Sequence, residues 1–238
     1  MKKLLVILLF ITATSMSAGY SDALKLFEAK KYKEALAKVA EVLETKNDME
    51  ANSPNYKLRY LAAHCHWKLG NYKSVVAHFS RCMIIKKTTV DPYIDLALSQ
   101  IDNKLYGEAV ASANRGLKIK EDAMLYYILG KVSMLWGKNW RAKTLFEKAN
   151  SINSELFIVY HDLGIVLLKM KKYSEANTAF SVAVALDSKS GEAKNNLALT
   201  YELLNQKKKA KQYYREASTI LNENVVVKKN LTRIKSAK

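Results

Sequence analysis

The residues best suited to chemistry are two cysteines and three of the four histidines, gathered in one stretch as His64-Cys65-His66, His78 and Cys82. Imidazole and thiolate are ligands that zinc prefers, and His78 and Cys82 share a helical face at i, i+4. The spacing works against a closed site, because three consecutive helical residues point in three directions and at most one or two of them could converge. Cys82 stands where equivalent segments carry a small buried residue, so it reads as a substitute for alanine. A Cys65–Cys82 disulfide is opposed by position: the two lie five residues before and twelve residues after the turn at Gly70. That is an axial offset on the order of 10 Å, against a Cα separation limit of about 7 Å. Free thiols and no metal are expected. The sequence also lacks a glycine-rich phosphate loop, a nucleophile elbow, and any histidine with an acid–base partner fixed by spacing. No catalytic residue, cofactor or small-molecule substrate is expected.

The elements that must carry any function are set by a repeat. A small residue recurs at Ala35, Val75, Ala109, Ala142, Ala176 and Ala210, in steps of 40, 34, 33, 34 and 34 residues. A period near 34 is that of stacked helix–turn–helix units. Ala63, Ala97, Gly130, Gly164 and Ala198 each precede an anchor by 12 residues. Two antiparallel helices cross closely only where both present small side chains. Phe79, Phe146, Phe180 and Tyr214 follow the anchors by four, one turn along the same face, and are expected to fill the wedge towards the next unit. Only 2 prolines and 8 glycines in 238 residues, with 49% hydrophobic content, suit an all-α chain with a packed core. Ser53-Pro54 and Asp91-Pro92 each read as an N-cap followed by a first-turn proline.

The copies Leu163-Gly164 … Tyr173 … Ala176 … Phe180 … Ala183 and Leu129-Gly130 … Gly137 … Ala142 … Phe146 … Ala149 resemble the tetratricopeptide repeat family. By the same spacing the resemblance extends over about residues 20–222. It implies a right-handed α-solenoid of about six repeats, at approximately 20–47, 56–89, 90–122, 123–156, 157–190 and 191–222. The first copy reads as half built, behind a shortened first helix. The 40-residue first step implies an insertion within Lys46–Ser53, and residues 223–238 read as a basic capping helix with Val226, Val227, Leu231 and Ile234 as its apolar face.

In this family the first helices of successive repeats line a concave groove. Carried onto this sequence, the groove stripe is Tyr60, His64, Trp67; Ile94, Leu98, Ile101; Tyr127, Lys131, Met134; His161, Ile165, Leu168; and Asn195, Leu199, Glu202. Each trio has i, i+4, i+7 spacing. Tyrosine, tryptophan and methionine suit a protein-binding surface, and the stripe suits a helix or extended peptide. The alternative for Trp67, Met134 and the aliphatic third trio is packing between repeats. The family's carboxylate clamp is not matched, since only Lys131 and Asn195 have suitable chemistry and they lie two repeats apart.

Residues 1–18 have the three-part build of a secretory signal peptide: Met1-Lys2-Lys3, the apolar run Leu4–Ile11, and a small, polar end. An uncleaved anchor is the alternative. Cleavage after Ala18 would leave Ser21 as an N-cap for the first helix. Without Lys2 and Lys3 the formal charge falls from +17 to +15, and residues 204–238 carry ten basic and two acidic side chains. That end suits an anionic surface, although only six of the basic residues in the chain are arginine and lysine is the default solubilising charge. These features suggest an exported, periplasmic, non-catalytic scaffold that binds proteins through its groove within an envelope assembly such as flagellar, pilus or secretion machinery. The alternative is a basic module tethered to anionic membrane, cell-wall polymer or nucleic acid, the last being the least favoured.

Overall fold

A computed structural model describes residues 18–43, 53, 55–222 and 224–236. The expected signal peptide, residues 1–18, lies outside them except for residue 18, the expected insertion within Lys46–Ser53 lies outside them except for Ser53, and Pro54 lies outside them too. The described residues are helical and contain no strand. In chain order the helices are α1 (18–28), α2 (Tyr32–Val42), α3 (Asn55–Lys68), α4 (Tyr72–Ile85), α5 (Asp91–Asp102), α6 (Tyr106–Leu117), α7 (Ala123–Leu135), α8 (Asn139–Ile152), α9 (Phe157–Lys169), α10 (Tyr173–Leu186), α11 (Gly191–Leu203), α12 (Lys207–Ile220) and α13 (Val225–Ser236). They fall into two compact units, one ending at Glu121 and the other beginning at Asp122. Within each, every helix packs on the next, which is the packing of an all-α repeat array.

The small residues do what their spacing requires. All six anchors are buried, and so are their partners twelve residues earlier. The series also includes a member not recognised from the sequence: Ala23, twelve before Ala35, is fully buried against α2. The first repeat therefore keeps its crossing and is more complete than expected. Ser21 is not an N-cap, because residues 18–20 are already helical. Phe79, Phe146, Phe180 and Tyr214 are fully buried, but their rings lie first on their own hairpin. A Cβ added to Gly130 would come within 2.6 Å of the Phe146 ring, and one added to Gly164 within 2.7 Å of Phe180. These glycines are needed for close approach, not for backbone freedom.

The turn inside each repeat has its own beat. Lys30, Gly70, Lys104, Gly137, Lys171 and Asn205 all have φ between 58° and 73°. Each ends a first helix in a left-handed residue. The next amide reaches back to a carbonyl five residues earlier, as in Asn71 to His66 (2.9 Å) and Lys172 to Leu167 (2.9 Å), a Schellman closure of the helix end. Four of the six positions hold a residue other than glycine, at a steric cost.

Besides Ser21, helix starts differ from expectation at Asp91. Ser53 Oγ accepts from the Asn55 amide at 3.2 Å, as a cap for α3 should. Asp91, however, is already the first residue of α5, with Val90 in the cap position and no side-chain cap. Asp122 and Ser190 cap α7 and α11, accepting from Met124 (2.7 Å) and Ala193 (3.2 Å). At the far end α13 buries Val227 and Ile234, with Leu231 half-buried, but Val226 is 62% exposed. The packed face is the 227, 231, 234 comb, and Val226 falls one residue off it. No helix among the described residues is long and apolar enough to cross a membrane.

Candidate protein-binding face

In the first unit, α3 presents an aromatic ladder. Tyr56 stacks on Tyr60 (centroids 5.8 Å apart), Tyr60 meets His64 edge-on (4.9 Å), and His64 stacks on Trp67 (5.8 Å). Phe79 of α4 supports Tyr60 and His64 from behind, each at 5.6 Å. Polar edges are fixed by α5: the Tyr60 hydroxyl donates to the Asp95 carboxylate, His64 Nε2 lies 3.1 Å from the same oxygen, and Trp67 Nε1 donates to Asp102 at 2.9 Å. Burial, and then the bond to Asp95, pushes the Tyr60 phenol well above its ordinary pKa, so it stays a neutral donor. Burial pushes Tyr56 up to about 12.

Between α1 and α3 this face opens a cavity of about 300 Å³, lined by Tyr20, Leu24, Phe27, Tyr56, Lys57, Tyr60, Leu61 and His64. Its walls are almost wholly apolar or aromatic, with Lys57 and His64 as polar handles. Lys57 Nζ lies 5.7 Å above the Tyr20 ring, and Lys86 lies 4.4 Å above Tyr56. Pockets of this size and lining accept an apolar side chain and orient it by a few polar groups.

The second unit repeats the wiring in a tighter setting. The Tyr127 hydroxyl (3.0 Å) and Lys131 Nζ (2.7 Å) both donate to Asp162 Oδ2, at the same separations of 35 and 31 residues that link Tyr60 and His64 to Asp95. His161 Nδ1 lies 3.5 Å from the other Asp162 oxygen, and its Nε2 lies 3.2 Å from the Asn196 amide nitrogen. With that nitrogen donating, Nδ1 carries the ring proton towards Asp162. Burial would raise the Asp162 pKa, but hydrogen bonds from His161, Lys131 and Tyr127 and the Lys131 charge outweigh it and hold the carboxyl below the ordinary range. Burial beside that carboxylate pushes the Tyr127 phenol well up. Asn195 continues the ladder, accepting from Asn230 of α13 at 3.1 Å, and Glu202 accepts from Tyr214 (2.9 Å) and Arg233 (2.8 Å).

The expected stripe is thus distributed unevenly. Tyr60, His64, Trp67, Ile94, Leu98, Ile101, Lys131, His161 and Asn195 are half-buried, whereas Tyr127 and Met134 are buried. The acceptors Asp95, Asp102 and Asp162, and the contribution of Tyr20, Leu24 and Phe27 on α1, were not recognised from the sequence. A signal existed: an aspartate stands 35 residues after Tyr60, Trp67 and Tyr127, one repeat plus one residue. The cysteines are two separate buried thiols, with Cys82 Sγ 3.8 Å from the Tyr56 carbonyl, and burial pushes Cys65 up to about 11. His66 and His78 stack at 5.3 Å, and no group of metal-ligating side chains forms among the described residues.

Residues 191–220, spanning α11 and α12, match the tetratricopeptide repeat family model. No curated protein matches the chain. Among solved structures, PilF of Pseudomonas aeruginosa aligns with a TM-score of 0.74 at 13% identity, covering 95% of this chain and 99% of its own. PilW, a widely conserved type IV pilus biogenesis factor, aligns with a TM-score of 0.73 at 11% identity, covering 93% and 98%. YrrB, a tetratricopeptide-repeat protein with an unusual peptide-binding site, gives 0.58 at 18% identity, covering 80% and 96%. Identities this low establish a shared fold. Proteins with this repeat mediate protein–protein interactions, and the fold is typically a non-catalytic scaffold. Residues 191–220 match the family's repeat, and the helix pairs with their 34-residue register give the chain the tetratricopeptide-repeat fold.

Proposed function

We propose that the chain is a non-catalytic scaffold that binds a partner protein through the aromatic face of its first unit. The observation that carries this reading is the cavity between α1 and α3, whose rings are held in place from behind and whose front no described residue closes. Prearranged aromatic anchors lower the ordering cost of binding. The partner supplies an apolar side chain, presented on a helix or an extended segment, with an acidic group near Lys57. The N-terminal leader supports export to the periplasm, and the full-length likeness to the type IV pilus biogenesis factor PilW makes an envelope-associated assembly the setting to test first.

The test is a crosslinked capture from the native envelope fraction, comparing the wild-type chain with a Tyr56→Ala/Tyr60→Ala variant. Loss of specific partners from the variant, with its helix content retained, is the expected result. Recovery of the same partners from both would remove the cavity from the binding site. Mass measurement of the chain recovered from the periplasm locates its N-terminus. An intact Met1 in a cytoplasmic fraction would end the export reading while leaving the cavity untouched.

A further inference from the structure

The second unit carries a surface that the binding face does not explain. Its turns inside repeats lie along one edge, and the first of them exposes Leu135 (44%), Trp136 (45%) and Trp140 (66%). Large apolar side chains grouped at the surface mark an interaction site. The second turn adds Lys169, Lys171 and Lys172, and adjoins the first, because Lys172 Nζ lies 5.1 Å above the Trp140 ring. One repeat further on, the third turn exposes Leu203 (44%), Lys208 and Lys209. No carboxylate occurs in residues 135–140, 169–173 or 203–209, whereas the turns between repeats in the same unit carry Glu155 and Asp187. The flanking acids are engaged: Glu175 by Lys172 at 2.7 Å and Lys143 at 3.9 Å, and Glu202 by Arg233 at 2.8 Å.

We propose that this edge is a peripheral membrane-contact surface, on which Trp136 and Trp140 settle at headgroup level in a bilayer containing anionic phospholipid while the lysines face its charge. Indole is favoured at that depth because its ring is apolar and its N–H stays wet. Lysine provides the attraction, and each one brought to such a surface strengthens attachment by about fivefold. Two observations favour lipid over nucleic acid. The charge of this edge is mostly lysine, with one exposed arginine, Arg141 beside Trp140, whereas arginine is the side chain suited to phosphate recognition. Each indole also has one face covered by a lysine, Lys138 over Trp136 (5.0 Å) and Lys172 over Trp140, which hinders base stacking but not edgewise entry into headgroups. These residues are remote in sequence from Tyr56 and Tyr60, so either proposal can fail alone.

The test is co-sedimentation of the full chain with vesicles of phosphatidylcholine, with or without about one-third phosphatidylglycerol. The expected result is binding about tenfold stronger to the anionic vesicles, weakening from about 50 to about 500 mM salt. Trp136→Ala/Trp140→Ala should lower that binding about tenfold. The apolar N-terminal run is the same in both chains, so any attachment it provides does not alter the comparison. A second reading uses Trp67→Phe, which leaves Trp136 and Trp140 as the only indoles: bromine-labelled lipid should quench their emission. Equal binding by the tryptophan variant, unquenched emission, or a preference for single-stranded DNA or polyglutamate over anionic vesicles would each overturn the proposal.

Discussion

Tyr60, His64 and Asp95 in the first unit and Tyr127, Lys131 and Asp162 in the second occupy the same repeat positions and make the same bonds, yet they are different kinds of site. Asp95 keeps 17% of its side chain exposed, beside a histidine at 25%. Asp162 keeps 5%, with a lysine in place of the histidine and His161 closing its other oxygen. The first arrangement orients rings at an open cavity; the second closes over a charge. One repeat geometry therefore yields an open aromatic face or a structural lock, according to whether the donor is aromatic or cationic and how deeply the acceptor is buried. Removing a partner from a buried ion pair strands the other, whereas at a half-exposed site water substitutes.

The largest expected effect follows from that contrast. Asp162→Ala leaves Tyr127 and Lys131 without their acceptor and should lower stability by about 3 kcal/mol, while Asp95→Ala should cost about 1 kcal/mol. Urea denaturation of the two variants beside the wild type measures both. Equal losses would show that the two sites differ in appearance only.

Acid provides a milder test of the same lock. The folded-state pKa of Asp162 is depressed, so its contribution is fully present above the unfolded value of about 3.9 and is lost as pH falls through the lower folded value. Asp162→Asn removes this dependence. The stability difference between wild type and variant should therefore shrink as pH is lowered from about 5 to about 2. A difference that stays constant over that window would mean the carboxylate is not held by charge.

The contrast also explains what could be read from the sequence. The six anchors, their partners and the buried rings were legible because each is a residue type dictated by helix crossing distance, repeated at one spacing. The stripe of first-helix residues was legible as a row of positions. Its division into open and sealed parts was not, because that depends on Asp95 and Asp162, single carboxylates that resemble solvent-facing charges until a neighbour 35 residues earlier is placed beside them. Ala23 was obscured because the inserted stretch before α3 breaks the 34-residue beat. The Val226 assignment failed because an apolar residue adjacent to a comb looks like part of it.

The smallest expected effect concerns the turns, where the two units use the same device with different residues. Gly70 and Gly137 occupy the left-handed position freely, but Lys104 in the first unit and Lys171 in the second hold φ values of 61° and 60°. A side chain there costs about 1–2 kcal/mol, and glycine returns part of the gain through the entropy of the unfolded chain. Lys104→Gly and Lys171→Gly should each raise stability, by about 1 kcal/mol at most. Asn205→Gly should give less, because asparagine tolerates this conformation better than lysine. Lys171 also lies on the basic edge, so Lys171→Gly should weaken attachment to anionic vesicles while stabilising the fold, and Lys104→Gly should stabilise without that loss. Opposite signs in the two assays for one lysine, and a single sign for the other, would separate a residue retained for its charge from one tolerated at a turn.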